Sequence, residues 1–370
     1  MKTTIKYLLA ISAVVLLSMP VMAQVSATAV PFLQIEPDSR GAGMGNANVA
    51  IADNAYAIFW NPAGLAYQKG NQISITHSNW LPKFHTDLFY DYLVGKYYVD
   101  GIGTFGGGVT FLNLGKQTRT DEQGNTIGDF RSYELAAGIS YGFKVSKNFA
   151  LGTGMRYIYS DLVPTGTDVG GQQAKNGTSV GFDIAGLYRT DVFHVLNRRA
   201  RFSAGANLSN IGPAIQYTDN PQKDPLPTEL RVGWAYTMEL DQDGYNTITI
   251  ANDISKIMAR KDTTGRSMGI LDGIFNSWGP YTRFDGQNYV TLSLLDQLMI
   301  GTGIEYWYNN QFAIRTGYYY ESPKNGGRQY LTFGAGLRYN IFGVDFSYIY
   351  TIKQDNPLAD TIRFSLLLNF

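Results

Sequence analysis

The chain has 370 residues, no cysteine, a formal net charge of zero and only 16% charged residues. The missing cysteine excludes structural disulfides and thiolate metal sites. The balanced charge provides no basic surface of the kind that nucleic acid favours.

The elements are taken in chain order. Lys2 and Lys6 precede the apolar run "YLLAISAVVLL", and Val21 and Ala23 then supply small residues before Gln24. That pattern is a secretory signal peptide over 1–23, too short and wrongly flanked for a membrane span. No later stretch approaches the roughly 18 uninterrupted apolar residues of a membrane helix. If the chain spans a membrane, it does so as a closed barrel.

Residues 24–70 are too irregular for a strand pair, too apolar for a linker and too few for a soluble domain. They contain "RGAGMGNANVAIA" and then "YAIFWNPAGLA". Gly41, Gly43 and Gly45 permit close backbone approach. Asn61-Pro62 is a rigid break, and Phe59 and Trp60 are anchors to a wall. The segment reads as a plug lying inside a barrel.

From about residue 70 the hydrophobic pattern has period two. In "YELAAGISYGF", Tyr133, Leu135, Ala137, Ile139, Tyr141 and Phe143 oppose Glu134, Ala136, Gly138, Ser140 and Gly142. "FALGTGMRYIY" and "LRVGWAYTMEL" alternate in the same way, with Arg156 and Arg231 on the polar side. Such segments, about ten residues long, mark outer-membrane barrel strands. Fourteen are predicted, over 71–81, 87–98, 101–114, 129–144, 147–161, 177–191, 199–211, 228–241, 245–256, 296–308, 311–321, 328–340, 342–352 and 361–370. Connections after even-numbered strands are mostly tight ("VS", "DQDG", "NN"). Those after odd-numbered strands are mostly longer, and 257–295 is the longest. Short periplasmic turns and long outer loops produce this alternation. The tyrosine-rich triplets "YWY" (306–308), "YYY" (318–320) and "YIY" (348–350) fall where aromatic girdles belong.

The predicted fold is therefore all-β: a transmembrane antiparallel barrel of about 14 strands over 71–370, with an N-terminal hatch in its lumen over 24–70. Its inward face carries Glu134, Arg156, Asp183, Arg201, Arg231, Glu239, Glu305, Arg315, Arg338, Asp345 and Arg363. Charges of both signs there are expected to pair with one another or with the plug, because facing lipid they would be costly.

Several motif matches carry nothing. "GIGTFG" (101–106) has no βαβ unit to serve. Ser140 in "GISYG" sits mid-strand rather than at a strand-to-helix elbow. His77, His85 and His194 lack metal-ligand spacing, and "DQDG" is a hairpin turn. No metal or cofactor site is expected.

The segment "FLQIEPDSRGAGMGNANVAIADNAYAIFWNPAGLA" resembles the N-terminal hatch of the PorV family, in the PorV/PorQ group of FadL-like barrels, with Asn61-Pro62-Ala63 as its motif. The resemblance continues through "FLNLG" (111–115), "RYIYSDL" (156–162), "EYWYNNQFAIRTGYYYE" (305–321) and "NPLADTIRFSLLLNF" (356–370). Gly64-Leu65 departs from the Lys-Tyr that follows the motif in PorV itself. The resemblance implies a non-enzymatic outer-membrane component of the type IX secretion system in a Gram-negative bacterium. Such a protein captures secreted cargo through the cargo's C-terminal domain. Its implied partners are that cargo, a large translocon barrel, a sortase-like attachment complex and the lipid bilayer. Trp80, Leu81, Pro82 and Phe84 in the first outer loop are the candidate cargo contacts, as apolar residues beside a polar rim, with a membrane-interface anchor as the equal alternative. A FadL-like transporter of fatty acids or other hydrophobic molecules is the second reading, with the hatch as its gate. An ester hydrolase is the third. It would need a nucleophile within reach of a base, and His77, the sole candidate base, has no serine paired with it by sequence.

Overall fold

The computed structural model describes residues 28–84, 87–121, 123–261, 265–284, 288–352 and 356–370. The predicted signal peptide and His85 lie outside the described residues.

Fourteen strands, named here β1 to β14, form one antiparallel sheet closed on itself. They are β1 (Gln72–Asn79), β2 (Phe89–Val99), β3 (Gly103–Thr120), β4 (Thr126–Lys144), β5 (Phe149–Asp161), β6 (Gly177–Arg189) and β7 (Arg198–Ile211). The remainder are β8 (Glu229–Glu239), β9 (Asn246–Ile257), β10 (Leu298–Tyr308), β11 (Phe312–Glu321), β12 (Gln329–Tyr339), β13 (Phe342–Thr351) and β14 (Ile362–Asn369). Each strand pairs with its sequence neighbours. β14 closes onto β1 in a register that sets Ile75 opposite Leu366 and Ser78 opposite Arg363. Closure leaves no free sheet edge, the condition for a β-structure to cross lipid.

The period-two pattern decides what each face does. Ile75, Leu93, Met155, Ile184, Phe364 and Leu366 point outward and are exposed, as a lipid-facing band requires. Near the long-loop end, Phe89, Phe111, Tyr133 and Tyr159 stack across four strands at centroid spacings of 6.0, 5.9 and 5.9 Å. At the tight-turn end Phe105, Tyr141 and Phe143 form a second ladder. These two rows are the aromatic girdles. The tyrosine triplets serve them only in part, because alternation turns every middle residue inward. Tyr319 stacks on Tyr330 at 4.9 Å inside the barrel. Trp307 lies under the Arg315 and Arg338 guanidiniums, at 5.3 Å from each.

Two expectations change. The predicted bounds of the third and fourth strands leave the polar run 115–128 as a connection, but it is largely strand. β3 and β4 continue through it as a hairpin whose tip is Asp121–Asn125, tied by Asn125 N to Asp121 Oδ1 at 2.7 Å. Gly115, at φ +73°, accompanies a register shift between Asn113 and Lys116. Beyond that bulge the strands have passed the lipid, so polar side chains can occupy both faces and the apolar alternation stops. The connection 258–297 also has structure of its own. It contains a helix, Ile270–Asn276, and a short hairpin, Tyr281–Phe284 with Tyr289–Leu292.

The hydrophobic core lies within the lumen, between the wall and residues 28–68. Phe32, Met44, Tyr56, Trp60 and Leu65 are fully buried there. The plug has little regular structure. It holds a short helix α1 (Ser39–Gly43), a single turn α2 (Ala57–Trp60) and a 3-10 turn Pro62–Tyr67. Asp38 caps α1, its Oδ2 accepting from Gly41 N at 2.9 Å. Asn61 caps the 3-10 turn in the same manner, and Pro62 at its first position has no N–H to satisfy.

Wall glycines mark where the plug backbone rests. A Cβ on Gly303 would lie 2.3 Å from Met44 O, and one on Gly317 2.2 Å from Gly45 N. On the opposite wall a Cβ on Gly152 would lie 2.1 Å from Ala63 N. Gly64 is needed for a contact within the plug, since its Cβ would meet Ala52 O at 2.1 Å. Gly303→Ala is therefore expected to destabilise the seating of the hatch by about 1–3 kcal/mol, as overpacking does. Hydrogen exchange should show lost protection over residues 41–47 with the strand amides unchanged. Unchanged protection at 41–47 would show that the contact is not tight.

Candidate functional site

The centre of the lumen is an ion-pair chain. Arg40, on α1, donates from Nε and Nη2 to Glu305 of β10 at 2.8 and 2.7 Å, and from Nη1 to Asp53. Glu305 also accepts from Arg315 Nε of β11 at 2.6 Å. Arg315 Nη1 reaches Asp345 of β13 at 2.8 Å, and Asp345 accepts from Arg338 Nη2 of β12 at 2.6 Å. Three cations and three carboxylates thus balance, and Glu305, Arg315 and Asp345 are buried. The β10–β11 register sets Glu305 directly opposite Arg315. The wall pair is therefore built by the strands, and the plug's guanidinium docks onto it.

Further ties surround this chain. Arg363 Nη2 donates to Glu36 Oε2 at 2.9 Å, and Glu36 also takes the Asn46 amide. Asp253 Oδ2 accepts from Asn48 N and Val49 N at 2.8 Å each. Trp60 Nε1 donates to Asp38 Oδ1 at 2.6 Å, and the Arg231 guanidinium lies 4.7 Å over the Trp60 ring. Asn61 Nδ2 reaches Val49 O at 2.9 Å and Gly186 O at 3.1 Å. Asn207 Nδ2 holds Trp60 O at 3.1 Å.

The lumen charges singled out by sequence fall into three groups. Glu305, Arg315 and Arg338 belong to the central chain. Arg156 pairs with Asp183, and Arg231 with Glu229 at 3.1 Å. Glu134 has no cation among the described residues and accepts from Ser160 Oγ at 2.7 Å. Arg201 is exposed, without an ion pair among the described residues, beside Arg189 and Arg199 in a cavity at the tight-turn mouth. Gly41, Gly43, Gly45, Trp60, Asn61, Pro62 and Ala63 all lie buried in the plug. Sequence reading passed over Glu36, Asp38, Arg40 and Asp53. The available signal was charge inside an apolar plug, which has to be partnered.

At the outer mouth, the first loop does not present its four apolar residues alike. Trp80 and Leu81 are half-buried and pack onto the lumen core, with the Arg363 guanidinium 5.7 Å over the Trp80 ring. Pro82 is half-buried and Phe84 is exposed. Lys83 Nζ ties the loop to Asp360 at 2.5 Å. His77 Nδ1 meets Asp91 Oδ1 at 2.7 Å on the outer wall face.

A closed antiparallel barrel, lipid-compatible outside and filled by a hydrogen-bonded hatch, is of the outer-membrane β-barrel type. Its fold matches the Pseudomonas putida toluene transporter TodX at TM-score 0.53 and 11% identity, covering 91% of this chain and 99% of that one. The Ralstonia pickettii toluene transporter TbuX matches at TM-score 0.50 and 12% identity, covering 91% and 99%. Identities this low speak to fold alone. No curated protein matches. A family model described as type IX secretion system protein PorV matches residues 21–263, well over half of the sequence, and the chain belongs to that family.

Glu305→Gln is expected to destabilise the hatch by about 3–5 kcal/mol, because it leaves one buried guanidinium uncompensated. The double variant Glu305→Gln/Arg315→Met restores the charge balance and should recover part of that loss. Denaturant midpoints for the three proteins check this, and additive losses would show that the two groups are uncoupled.

The Ser293 hydroxyl and amide, then the Ser322 hydroxyl, hold the half-buried Asp296 carboxyl down to about 2. A depressed carboxyl stabilises the turn at Leu295–Gln297 above its unfolded pKa and ceases to as pH falls through the folded one. Amide protection at 293–297 should hold from pH 7 to about 4 and fall between about pH 4 and 2. Asp296→Asn should flatten the profile, and an unchanged profile in that variant would assign the effect elsewhere.

Proposed function

We propose that this protein binds secreted proteins at its outer mouth through their C-terminal secretion domain. It then passes them from the large type IX translocon barrel to a sortase-like attachment complex. It does this as an integral protein of a Gram-negative outer membrane, by recognition and without covalent chemistry. The observation that carries this reading is the bolted hatch. With Arg40 held by Glu305 and Asp53, and the plug backbone seated on wall glycines, the lumen favours no passage, and work falls to the outer loops. Family membership supports the same reading.

Transport of a small apolar molecule, the reading that the likeness to the toluene transporter TodX suggests, has less support. The cavity beside Ile58 and Phe59 is about 30 Å³ and contains the Arg156–Asp183 pair. That is room for about one water molecule. Hydrolysis lacks support as well, because the His77–Asp91 pair lies among exposed and lipid-facing residues.

Purification of the tagged protein from its native envelope in mild detergent, followed by mass spectrometry of proteins and lipids, tests the proposal. The expected result is cargo sharing a C-terminal domain, together with a very large translocon barrel. In Phe84→Asp, cargo yield should fall severalfold while the barrel stays folded. A lone barrel carrying a fatty acid would overturn the proposal in favour of transport.

A further inference from the structure

The 258–297 connection folds over the outer mouth and meets the start of the hatch. Between them lies a cavity of about 320 Å³, bounded on the hatch side by Pro31 and Gln34. That is the lower end of the size range of small-ligand sites, ~300–1,000 Å³.

Arg260 lines this cavity and is only 7% exposed. Its Nη2 donates to three neutral acceptors: Ser277 O, Gly279 O at 3.0 Å and Gln297 Oε1 at 2.5 Å. The Tyr281 ring lies 4.8 Å from the guanidinium carbon. Nε and Nη1 have no partner among the described residues, yet they are not sealed from the cavity. No described carboxylate pairs with Arg260. Glu321, the one carboxylate among the described residues lining the cavity, is held by Arg328 Nε at 2.7 Å. Lys256, 2% exposed, is in the same position on the other side of Ser277. It donates to Ser277 Oγ at 3.2 Å and Ile257 O at 3.1 Å, with no carboxylate partner among the described residues.

A loop clip would account for the three bonds of Nη2. It leaves unexplained two buried cations side by side without a counter-ion among the described residues, a costly arrangement unless an anion completes it. With Nη2 committed to the loop, the terminal Nη1 amino group is left as a charged donor that a carboxylate oxygen can take in a charge-assisted hydrogen bond.

We propose that this cavity binds a peptide carboxylate, a side chain or a chain terminus, seated on Arg260 Nη1. This rests on the reading of the outer mouth as a cargo-binding surface. The peptide is favoured over a lipid phosphate for two reasons. The cavity opens inside the mouth, against the hatch, rather than on the bilayer face. Its wall beside Arg260 is also apolar, from Ile257, Leu292 and Met299, which suits an apolar residue next to the carboxylate.

The full-length protein in detergent would be titrated calorimetrically with the tripeptide Gly-Gly-Leu as free acid, with its C-terminal amide, and with inorganic phosphate. The acid should bind at least tenfold more tightly than the amide, equivalent to about 1.4 kcal/mol. Arg260→Met should abolish that preference. Gln297→Glu keeps Arg260 and supplies an internal carboxylate at a position already in hydrogen-bond contact with it. It should abolish the preference too, with the barrel and loop folded by gel mobility and hydrogen exchange. Equal binding of acid and amide, or an unchanged preference in Gln297→Glu, overturns the proposal. So does phosphate binding that the acid does not displace, which would indicate an inorganic oxyanion site. The envelope purification separates the two readings. Cargo recovered equally with wild type and Gln297→Glu sinks this site alone, whereas no cargo with either sinks the wider function.

Discussion

A charge inside a membrane barrel can escape neither to water nor to lipid, and that constraint organises this molecule. Glu305 and Arg315 face each other because the β10–β11 register puts them there. Once buried, each needs more partners than the other can offer. Asp345 and Arg338 complete the wall side, and Arg40 and Asp53 complete the plug side. Breaking such a chain at any member leaves an uncompensated ion, so the plug is held more firmly than its few turns of helix would suggest.

Ionic attachment works only if the plug backbone can come close enough. The inward glycines of β5, β10 and β11 let it do so, and they explain a composition of 41 glycines in a sheet protein. In an ordinary strand interior, glycine weakens the sheet. Here the missing side chain is replaced by plug backbone, with Met44–Gly45 against one wall and Pro62–Ala63 against the other. The Asn61-Pro62 break that opens the 3-10 turn brings that second contact to the wall, and Asn61 fastens it to Gly186 O.

Much of the fold was legible because period-two alternation is a local property of sequence. Fourteen strands and the tight and long connections follow from it, whereas the FadL-like class came from the resemblance of the hatch segment. The limits of the alternation are local too. At Gly115 the chain leaves the lipid, so the alternation ends while the β3–β4 pairing continues. The middle tyrosine of 318–320 was read as part of a girdle, although alternation itself sends Tyr319 inward. Inward charges were visible for the same reason, but their partners were not. Arg363 and Glu36 lie 327 residues apart in sequence, and nothing near either one names the other. Trp80 and Leu81 show the same limit, since their turn onto the lumen core depends on Arg363 and on packing across the mouth.

These constraints divide the barrel by depth. At mid-lumen, described cations such as Arg40, Arg315 and Arg363 have carboxylates in contact. Toward the outer mouth the balance changes. Arg260 and Lys256 are also buried and have only neutral acceptors among the described residues. The same physics that requires the inner chain to close on itself makes the outer pair incomplete without a further anion. A plug that satisfies its own charges is a lasting closure. On the proposed reading, a mouth whose described cations lack a carboxylate suits an anion that arrives and departs, and the bolted plug beneath it separates recognition at the rim from passage through the barrel.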